Sequence, residues 1–468
     1  MQNPELRRAL GFWPTIAMVI GTVIGSAIFL VPTKMVNSVG SPAAVFVVWI
    51  FGGILTLFGA LTYAELSAAL PGAGGEYVYL DAAYGPFFAF IYGWTQTWVA
   101  KPASIATLAT AFFTYLGDFF PGLSSVLYTV PLPIGPDFKP LEIRYGQFVA
   151  IAAILFLAAV NYTGVRVGGR VQVAVTAVKL ILIGGLIAAG LFFGSGNIGN
   201  FHTSVTPHPG GIAGFFVALV AALWAYDGWN NAGMLGSEID QPGKNLPRAL
   251  IMGTSSVIVI YLLANLTYFY VLSAAEVGGS ARVAADAMRR VLGPPGGAAI
   301  SVAAMISIFA ALNGSILSGS RVPYAMAHSG LFFRSIGRVH PRFRVPGPAI
   351  ALICAISCLI TLSGQYDQLY TLVIFPSWIL YGMTAASVIV LRRKRPDLPR
   401  PYRVVGYPLV PVLFVFVALA LLYSTLLSSP RESGIGLALI VAGLPFYFHW
   451  KSRRAGSKDP LLDQSDVS

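Results

Sequence analysis

GTVIGSAIF (residues 21–29) and LWAYDGWNNAG (residues 223–233) each interrupt a hydrophobic run long enough to cross a lipid bilayer. An interior glycine such as Gly25 weakens a helix by about 1 kcal/mol relative to alanine. The second stretch contains Asp227 next to Gly228. An ionisable side chain is costly in hydrocarbon, so one inside a membrane span is a candidate functional residue by default. Both stretches therefore predict helices that break inside a membrane and expose backbone groups there.

The composition indicates an all-α membrane protein. Of 468 residues, 56% are hydrophobic and 10% charged, whereas soluble domains carry roughly 25% charged residues. Apolar runs of the length that spans a bilayer, about 20 residues, recur along the chain. They predict twelve transmembrane helices at 12–38, 43–69, 86–116, 146–164, 171–194, 212–237, 249–273, 295–326, 347–364, 369–391, 407–428 and 434–450.

The basic residues predict the orientation of these helices. The net charge is +12, and with the N-terminus inside, twenty of the thirty Lys and Arg residues fall in the termini and inward loops. This asymmetry follows the positive-inside rule. We therefore expect a multi-pass protein of the cell membrane with both termini cytoplasmic, and no nucleic-acid partner.

The two broken spans divide the chain into two blocks. Residues 12–194 and 212–391 each open with a broken span and contain five spans, so the second block starts on the opposite side of the membrane. This arrangement predicts inverted repeats. Two extra helices (407–450) and a cytoplasmic tail (451–468) complete a single transmembrane domain. The Pro- and Gly-rich outward segment 117–145 is expected to be an irregular cap.

The first break has two interpretations. Gly21 and Gly25 stand four residues apart, as in small-residue faces that let helices pack closely. Alternatively, Gly25, Ser26 and Ala27 unwind the helix. A helix restarting near Ser26 would direct free N–H groups and its positive dipole end at an anion, so that a carboxylate fits there.

The second break also has two interpretations. Asp227 either caps a restarted helix or contacts a bound solute. In both cases the break frees carbonyl groups of Trp224, Ala225 and Tyr226, which could accept hydrogen bonds from an ammonium group. Donors at one break and acceptors at the other would recognise a zwitterion, and the Trp224 ring could stack over it.

Lys179 is the one charged residue of the span 171–194. It lies about nine residues from the inner end, roughly 13 Å at helical rise, which is a long reach for snorkelling. We favour an ammonium group that is hydrogen-bonded to carbonyl groups of the unwound backbone in the first span, where a coupling cation would otherwise bind. Lys101 is equally central in its span, and the sequence assigns it no role.

Five segments of the chain resemble one transporter superfamily. They are IGSAIF (24–29), ELSAALPGAGGEYVYL (65–80), YDGWN (226–230), EIDQPGKNLPRAL (238–250) and LNGSILSGSRVPYAMA (312–327). Together they are similar to the amino acid–polyamine–organocation superfamily, and most to a prokaryotic member of its L-type amino-acid transporter branch. The resemblance implies a LeuT-like 5+5 inverted repeat with broken helices 1 and 6.

The resemblance also implies roles for residues. Ile24, Gly25, Ser26 and Ala27 would bind the carboxylate of an amino acid. The segment Trp224, Ala225, Tyr226 and Asp227 would line the amino end, with Trp224 as the gating aromatic. Lys179 would stand at a sodium-site position and link the fifth span to the first, consistent with sodium-independent exchange.

Two departures from the family pattern stand out. Ala27 replaces the second glycine of GSG, and its methyl group narrows the space beside a bound amino-acid backbone. Residues 117–145 contain no cysteine, so no disulfide-linked heavy chain is expected.

The leading hypothesis is a sodium-independent exchanger (antiporter) of neutral L-amino acids by alternating access. The alternative is a proton-coupled symporter or a carrier of cationic amino acids or polyamines. A channel would need a continuous polar pore, and an enzyme would need an HExxH or paired-carboxylate cluster, which the sequence lacks. A sensor with a transporter fold would usually carry an added signalling domain, and none is visible. No metal or cofactor is expected.

Overall fold

The computed structural model describes residues 5–130, 141–193, 196–206, 210–363 and 366–456, and most of these residues are helical. Helices dominate because a spanning segment must satisfy its backbone polar groups internally. Within the described residues, nine helices are long and apolar enough to cross a membrane, and ten when the bent pair Phe12–Val23 and Ala27–Val39 counts as one span. The chain is a multi-pass helical membrane protein.

Helices occur at each predicted span. The first half of the chain contains α1 (Phe12–Val23), α2 (Ala27–Val39), α3 (Pro42–Ala69), α4 (Glu76–Tyr84), α5 (Pro86–Thr95), α6 (Lys101–Leu116), α7 (Tyr145–Tyr162) and α8 (Val165–Ala188). The second half contains α9 (Gly211–Ala225), α10 (Pro242–Val271), α11 (Ala274–Gly279), α12 (Val283–Leu292), α13 (Pro294–Gly319), α14 (Arg321–His328), α15 (Gly347–Ser363), α16 (Tyr366–Lys394), α17 (Leu409–Ser428), α18 (Pro430–Val441) and α19 (Leu444–Gly456). The exact count of twelve spans remains a prediction.

Besides the two broken spans, the predicted spans 86–116, 347–364 and 434–450 differ from simple membrane-length α-helices, and the last of them is divided between α18 and α19. The span 86–116 is helical throughout, but a π-helical turn at Gln96–Ala100 joins α5 to α6. The span 347–364 is the 17-residue helix α15. A second π-helical turn, Ala189–Phe193, extends α8.

The segment 117–145 contains regular structure, so the prediction of an irregular cap was wrong in part. A short 3₁₀ helix covers Pro121–Ser124, and strand β1 (Val126–Val130) pairs antiparallel with β2 (Leu141–Arg144). Residues 131–140 between the strands lie outside the described residues. The β-branched and aromatic residues of VLYTV favour a strand, but its partner follows a long connection, which local patterns do not reveal.

The first broken span occupies the centre of the bundle. Its first half, α1, packs against α8, α10 and α13, and its second half, α2, packs against α9, α11 and α12. Residues 17–24 of this span are buried throughout. The break between α1 and α2 is therefore enclosed by protein on several sides, as non-helical backbone at membrane depth requires.

Candidate binding site between two broken helices

The first break covers three residues between α1 and α2. Ile24 leaves the helical conformation with φ −76° and ψ 90°, and α2 restarts at Ala27 at an angle of 40° to α1. Ala27 thus belongs to the restarted helix and not to the unwound segment. The first amides of a helix lack intrahelical acceptors, so this break presents N–H groups and a positive dipole end.

The second break follows α9, which ends at Ala225. The chain turns at Gly228 with φ 102°, a backbone conformation that glycine adopts without steric cost. It continues as two 3₁₀ helices, Trp229–Met234 and Gly236–Glu238. The sequence predicts the break but not its 3₁₀ continuation.

Hydrogen bonds join the two breaks directly. The Thr22 hydroxyl lies 2.9 Å from the Gly228 carbonyl oxygen. The Tyr261 hydroxyl of α10 lies 3.0 Å from the Val23 carbonyl oxygen and 2.8 Å from that of Ala225, so it bonds one carbonyl from each break. Sequence reasoning missed both side chains, since a threonine and a tyrosine in apolar spans carry no local signal of this role.

Lys179 of α8 reaches the first break. Its Nζ atom lies 2.8 Å from the Gly21 carbonyl oxygen, 2.5 Å from that of Ile24 and 3.1 Å from that of Ser307 in α13. Three acceptors match the three protons of an ammonium group. The side chain is fully buried, so its head does not reach an interface as a snorkelling lysine would.

A small cavity of about 50 Å³ lies between the two breaks. Its lining comes from α1, α2, α6, α9, the second break and α13, and consists of Thr22, Val23, Gly25, Ser26, Ala27, Lys101, Ser104, Thr107, Leu108, Trp224, Asp227, Gly228, Asn231 and Ser315. The structure therefore brings together five residues predicted for the site: Gly25, Ser26, Ala27, Trp224 and Asp227.

Three other predicted residues face protein instead of the cavity. The Ile24 carbonyl accepts hydrogen bonds from Lys179 and, at 2.9 Å, from the Ser307 hydroxyl. The Ala225 carbonyl accepts from Tyr261. The Tyr226 hydroxyl donates to the Trp49 carbonyl oxygen at 3.2 Å, so this side chain points toward α3.

Lys101 brings a second buried ammonium group to the site. Pro102 cannot donate a backbone hydrogen bond, and the π-helical turn Gln96–Ala100 immediately precedes this position. Such turns occur often at functional sites. The Lys101 side chain is 8% exposed and donates a short hydrogen bond to Asn231 Oδ1 in the second break.

Asp227 accepts a hydrogen bond from α16. The Tyr381 hydroxyl lies 2.7 Å from Asp227 Oδ1, which fixes the orientation of the carboxylate at the cavity. Asp227 and Lys101 are the formally charged residues of the lining, so their charges cancel.

Backbone and side-chain contacts join the described N-terminal residues to the segment that follows the second break. The Ala9 and Leu10 amides donate to the Glu238 carbonyl oxygen at 2.8 and 3.0 Å. The Glu238 carboxylate pairs with Arg321 of α14, with Nε to Oε2 at 2.7 Å and both side chains fully buried.

A second set of contacts joins α2 to the region of α11 and α12. The Thr33 hydroxyl of α2 donates to the Ser280 carbonyl at 2.8 Å, and the Asn37 amide donates to the Gly278 carbonyl at 2.9 Å. These contacts hold α2 against the C-terminal end of α11 and the segment that joins α11 to α12. Beside that segment, the Arg290 guanidinium lowers the pKa of Glu276 to about 2 through a charged hydrogen bond, so this pair is ionised at neutral pH.

Comparison with known proteins identifies the family. A family model described as "Amino acid permease" matches residues 10–444. The chain belongs to the amino acid permease family. It is 35% identical to the serine/threonine exchanger SteT of Bacillus subtilis (strain 168), over 97% of this chain and 99% of that protein.

Two mammalian relatives match over nearly the same length. The b(0,+)-type amino acid transporter 1 of Mus musculus is 32% identical, over 96% of this chain and 89% of its own. The cystine/glutamate transporter of Homo sapiens is 29% identical, over 96% and 86%. These relatives confirm the resemblance to the L-type branch of the amino acid–polyamine–organocation superfamily. The chain is an amino-acid transporter of the membrane and not an enzyme.

Proposed function

We propose that this protein exchanges neutral L-amino acids across the cell membrane by alternating access, without sodium. The cavity between the two breaks carries this proposal. It lies at the N-terminus of α2, which favours a carboxylate, and at the C-terminal end of α9, which favours an ammonium group. An amino acid carries both groups on one carbon atom.

The charge of the lining supports neutral substrates. Asp227 and Lys101 offset each other, so a zwitterion with an uncharged side chain leaves the occupied cavity without net charge. A second cation beside Lys101 would meet repulsion in a medium of low dielectric constant. Ala27 contributes a methyl group to the wall, which limits the space beside the substrate backbone.

The roles of the predicted residues follow from this arrangement. The first amides of α2, including that of Ala27, would bind the carboxylate beside Gly25 and Ser26. At the second break, Trp224 and Asp227 line the cavity and would receive the ammonium group, whereas the Ala225 carbonyl faces Tyr261. Trp224 would close over the substrate.

Alternating access is supported by contacts on both faces of the cavity. On one face Leu10, just before the first block, bonds Glu238 of the second block, while Thr33 and Ser280 join the two blocks on the other. Releasing one set at a time would open the cavity to one side only. This mechanism rests on the 5+5 inverted repeat of residues 12–194 and 212–391 within twelve spans, with both termini cytoplasmic.

Lys179 supports sodium independence. Its ammonium group donates hydrogen bonds to carbonyl oxygens at the first break, and a coupling cation would need these same oxygens as ligands. The chain would act without a disulfide-linked heavy chain, since 117–145 contains no cysteine. The bacterial relative is named a serine/threonine exchanger, which agrees with small neutral substrates and exchange.

Asp227 supports a second candidate, a carrier of cationic amino acids or polyamines or a proton-coupled symporter. A carboxylate at the cavity wall could pair with a substrate cation or carry a proton. Competition by arginine and putrescine against serine uptake separates this candidate from the neutral one.

The test is uptake of labelled L-serine, L-alanine and L-leucine into proteoliposomes that are empty or loaded with unlabelled amino acids. We expect uptake into loaded vesicles only. Trp224→Ala should abolish it, while Trp13→Ala, which alters a 72% exposed side chain, should not. Uptake into empty vesicles would contradict exchange, and arginine or putrescine as the best competitor would contradict neutral substrates.

A further inference from the structure

A buried hydroxyl group in the cavity wall lacks a partner. Thr107 of α6 is 3% exposed, and its Oγ1 atom has no hydrogen-bond partner among the described residues. Threonine in a helix often donates to the carbonyl four residues earlier, as Thr114 does to Thr110 at 3.0 Å. Thr107 makes no such bond, and its residue lines the cavity. A buried hydroxyl without a partner is costly, which points to a bound group that supplies one.

Further hydroxyl groups surround this position. Ser104 lies one turn before Thr107 on α6, and Ser315 of α13 lines the same cavity. Eight of the fourteen lining residues have polar or charged side chains, and four, Val23 and Leu108 among them, have apolar ones. The wall formed by α6 and α13 is therefore suited to a small polar group.

The first break lies against this wall. A Cβ atom built on Gly25 would stand 3.4 Å from Leu108 Cδ2 and 3.8 Å from Ala311 Cβ. Leu108 follows Thr107 directly, and Ala311 precedes Ser315 by one helical turn. An amino acid whose carboxylate sits at the start of α2 therefore has α6 and α13 beside its α-carbon, within reach of its side chain.

We infer that Thr107 is a specificity-determining residue that hydrogen-bonds the side-chain hydroxyl of the substrate, so that the site selects serine and threonine over apolar amino acids of the same size. This inference rests on the proposed amino-acid exchange. A site built around a substrate hydroxyl rejects the analogue without it, because the protein's own polar group is then left unpaired.

The test compares substrates that differ in a hydroxyl at nearly constant size, L-serine with L-alanine and L-threonine with L-valine. In proteoliposomes, wild type should prefer the hydroxylated member of each pair. Thr107→Val keeps the side-chain shape, and we expect it to lower this preference about 3- to 10-fold, the range for one hydrogen bond. Uptake of L-alanine, which has no side-chain hydroxyl, should fall less than uptake of L-serine.

Thr110→Val is the matched control. Thr110 lies on the same helix, is 6% exposed and also has a hydroxyl without a partner among the described residues, but it does not line the cavity. Its substitution should leave both preferences unchanged. An unchanged preference in Thr107→Val, an equal fall for all substrates, or the same loss in Thr110→Val would overturn the inference.

A binding measurement separates this inference from the transport proposal. In detergent, L-serine should raise the melting temperature of wild type more than L-alanine does, and Thr107→Val should remove that difference. Wild type that binds serine selectively but takes up no amino acid would contradict exchange and leave the role of Thr107 supported. Equal stabilisation by both amino acids would overturn the role of Thr107.

Discussion

The Nζ atom of Lys179 lies 2.5 Å from the carbonyl oxygen of Ile24, the residue at which α1 stops being helical. The same ammonium group reaches Ser307 of α13, so one side chain joins α8 to the first break and to α13. Removing this side chain leaves buried carbonyl groups at the break without their donor, while the surrounding helices keep their apolar contacts.

We therefore expect Lys179→Ala to lower kcat/KM for amino-acid exchange about tenfold or more while the protein stays folded. A hydrogen bond to a charged group contributes about 1.5–3 kcal/mol, which corresponds to at least a tenfold change. Uptake kinetics and size-exclusion chromatography measure the two effects. Val178→Ala, which alters a neighbouring side chain that is 44% exposed, is the control. Normal transport by Lys179→Ala would refute this role.

Sodium should have no effect on wild-type uptake. The carbonyl groups of Gly21 and Ile24 already bind the Lys179 ammonium group, so they are not open to a metal ion. Replacing external sodium with choline tests this directly, with lithium chloride as a second substitution. Uptake that falls in proportion to the sodium concentration would show that the ammonium group does not replace the cation.

Gly228→Ala should impair both transport and stability. At φ 102° any other residue is strained, and an added Cβ atom would lie 3.3 Å from the Thr22 carbonyl oxygen and its Cβ. The left-handed conformation alone costs alanine about 1–2 kcal/mol. Uptake and the melting temperature in detergent measure the change.

Gly184→Ala serves as the control for that substitution. Gly184 is helical and an added Cβ atom would meet nothing within 4 Å, so alanine should be neutral or slightly stabilising there. Equal behaviour of the two variants would mean that the second break tolerates a side chain at Gly228.

Removing one partner of the buried Arg321–Glu238 pair should destabilise the protein more than removing one partner of an exposed ion pair. Both side chains are fully buried, and Arg321 also donates to the Leu317 carbonyl at 2.6 Å. Arg321→Met leaves an unpaired carboxylate, which typically costs about 3–5 kcal/mol. We expect a clearly lower melting temperature in detergent.

Arg289→Ala provides the comparison for this prediction. Arg289 pairs with Asp286 at 3.0 Å, but its side chain is 59% exposed, and exposed pairs contribute at most about 1 kcal/mol. The double variant Arg321→Met with Glu238→Gln should recover part of the loss, because it removes both charges. A melting temperature for Arg321→Met equal to that of Arg289→Ala would count against a structural role of the buried pair.

Local features of the chain were sufficient to predict where its helices lie and where two of them break. The stretches around Gly25 and Asp227 each lie in an apolar run of membrane length and contain a glycine or a carboxylate that interrupts it. Both features are visible within a window of about 20 residues. The buried ammonium of Lys179 could also be predicted to need carbonyl partners, because an isolated charge in hydrocarbon is costly wherever it lies.

Other features of the site depend on how helices rotate against each other. Tyr226 was expected beside the substrate, but its side chain packs against Trp49 in α3. The sequence predicted no role for Lys101, whereas in the structure α6 places its ammonium group in a hydrogen bond with Asn231. A helical sequence defines the angular spacing of its side chains but not the face that meets a neighbour.

Hydrophobic length and composition suffice to show that this chain is a helical membrane protein with two interrupted spans, because burial in lipid constrains each segment separately. Which groups meet at those interruptions depends on the three-dimensional packing of the helices. Tyr261 joins Val23 to Ala225, and Thr107 faces the cavity while Thr110 on the same helix does not. These contacts join residues far apart in the chain, and packing between helices, not local hydrophobicity, sets their geometry.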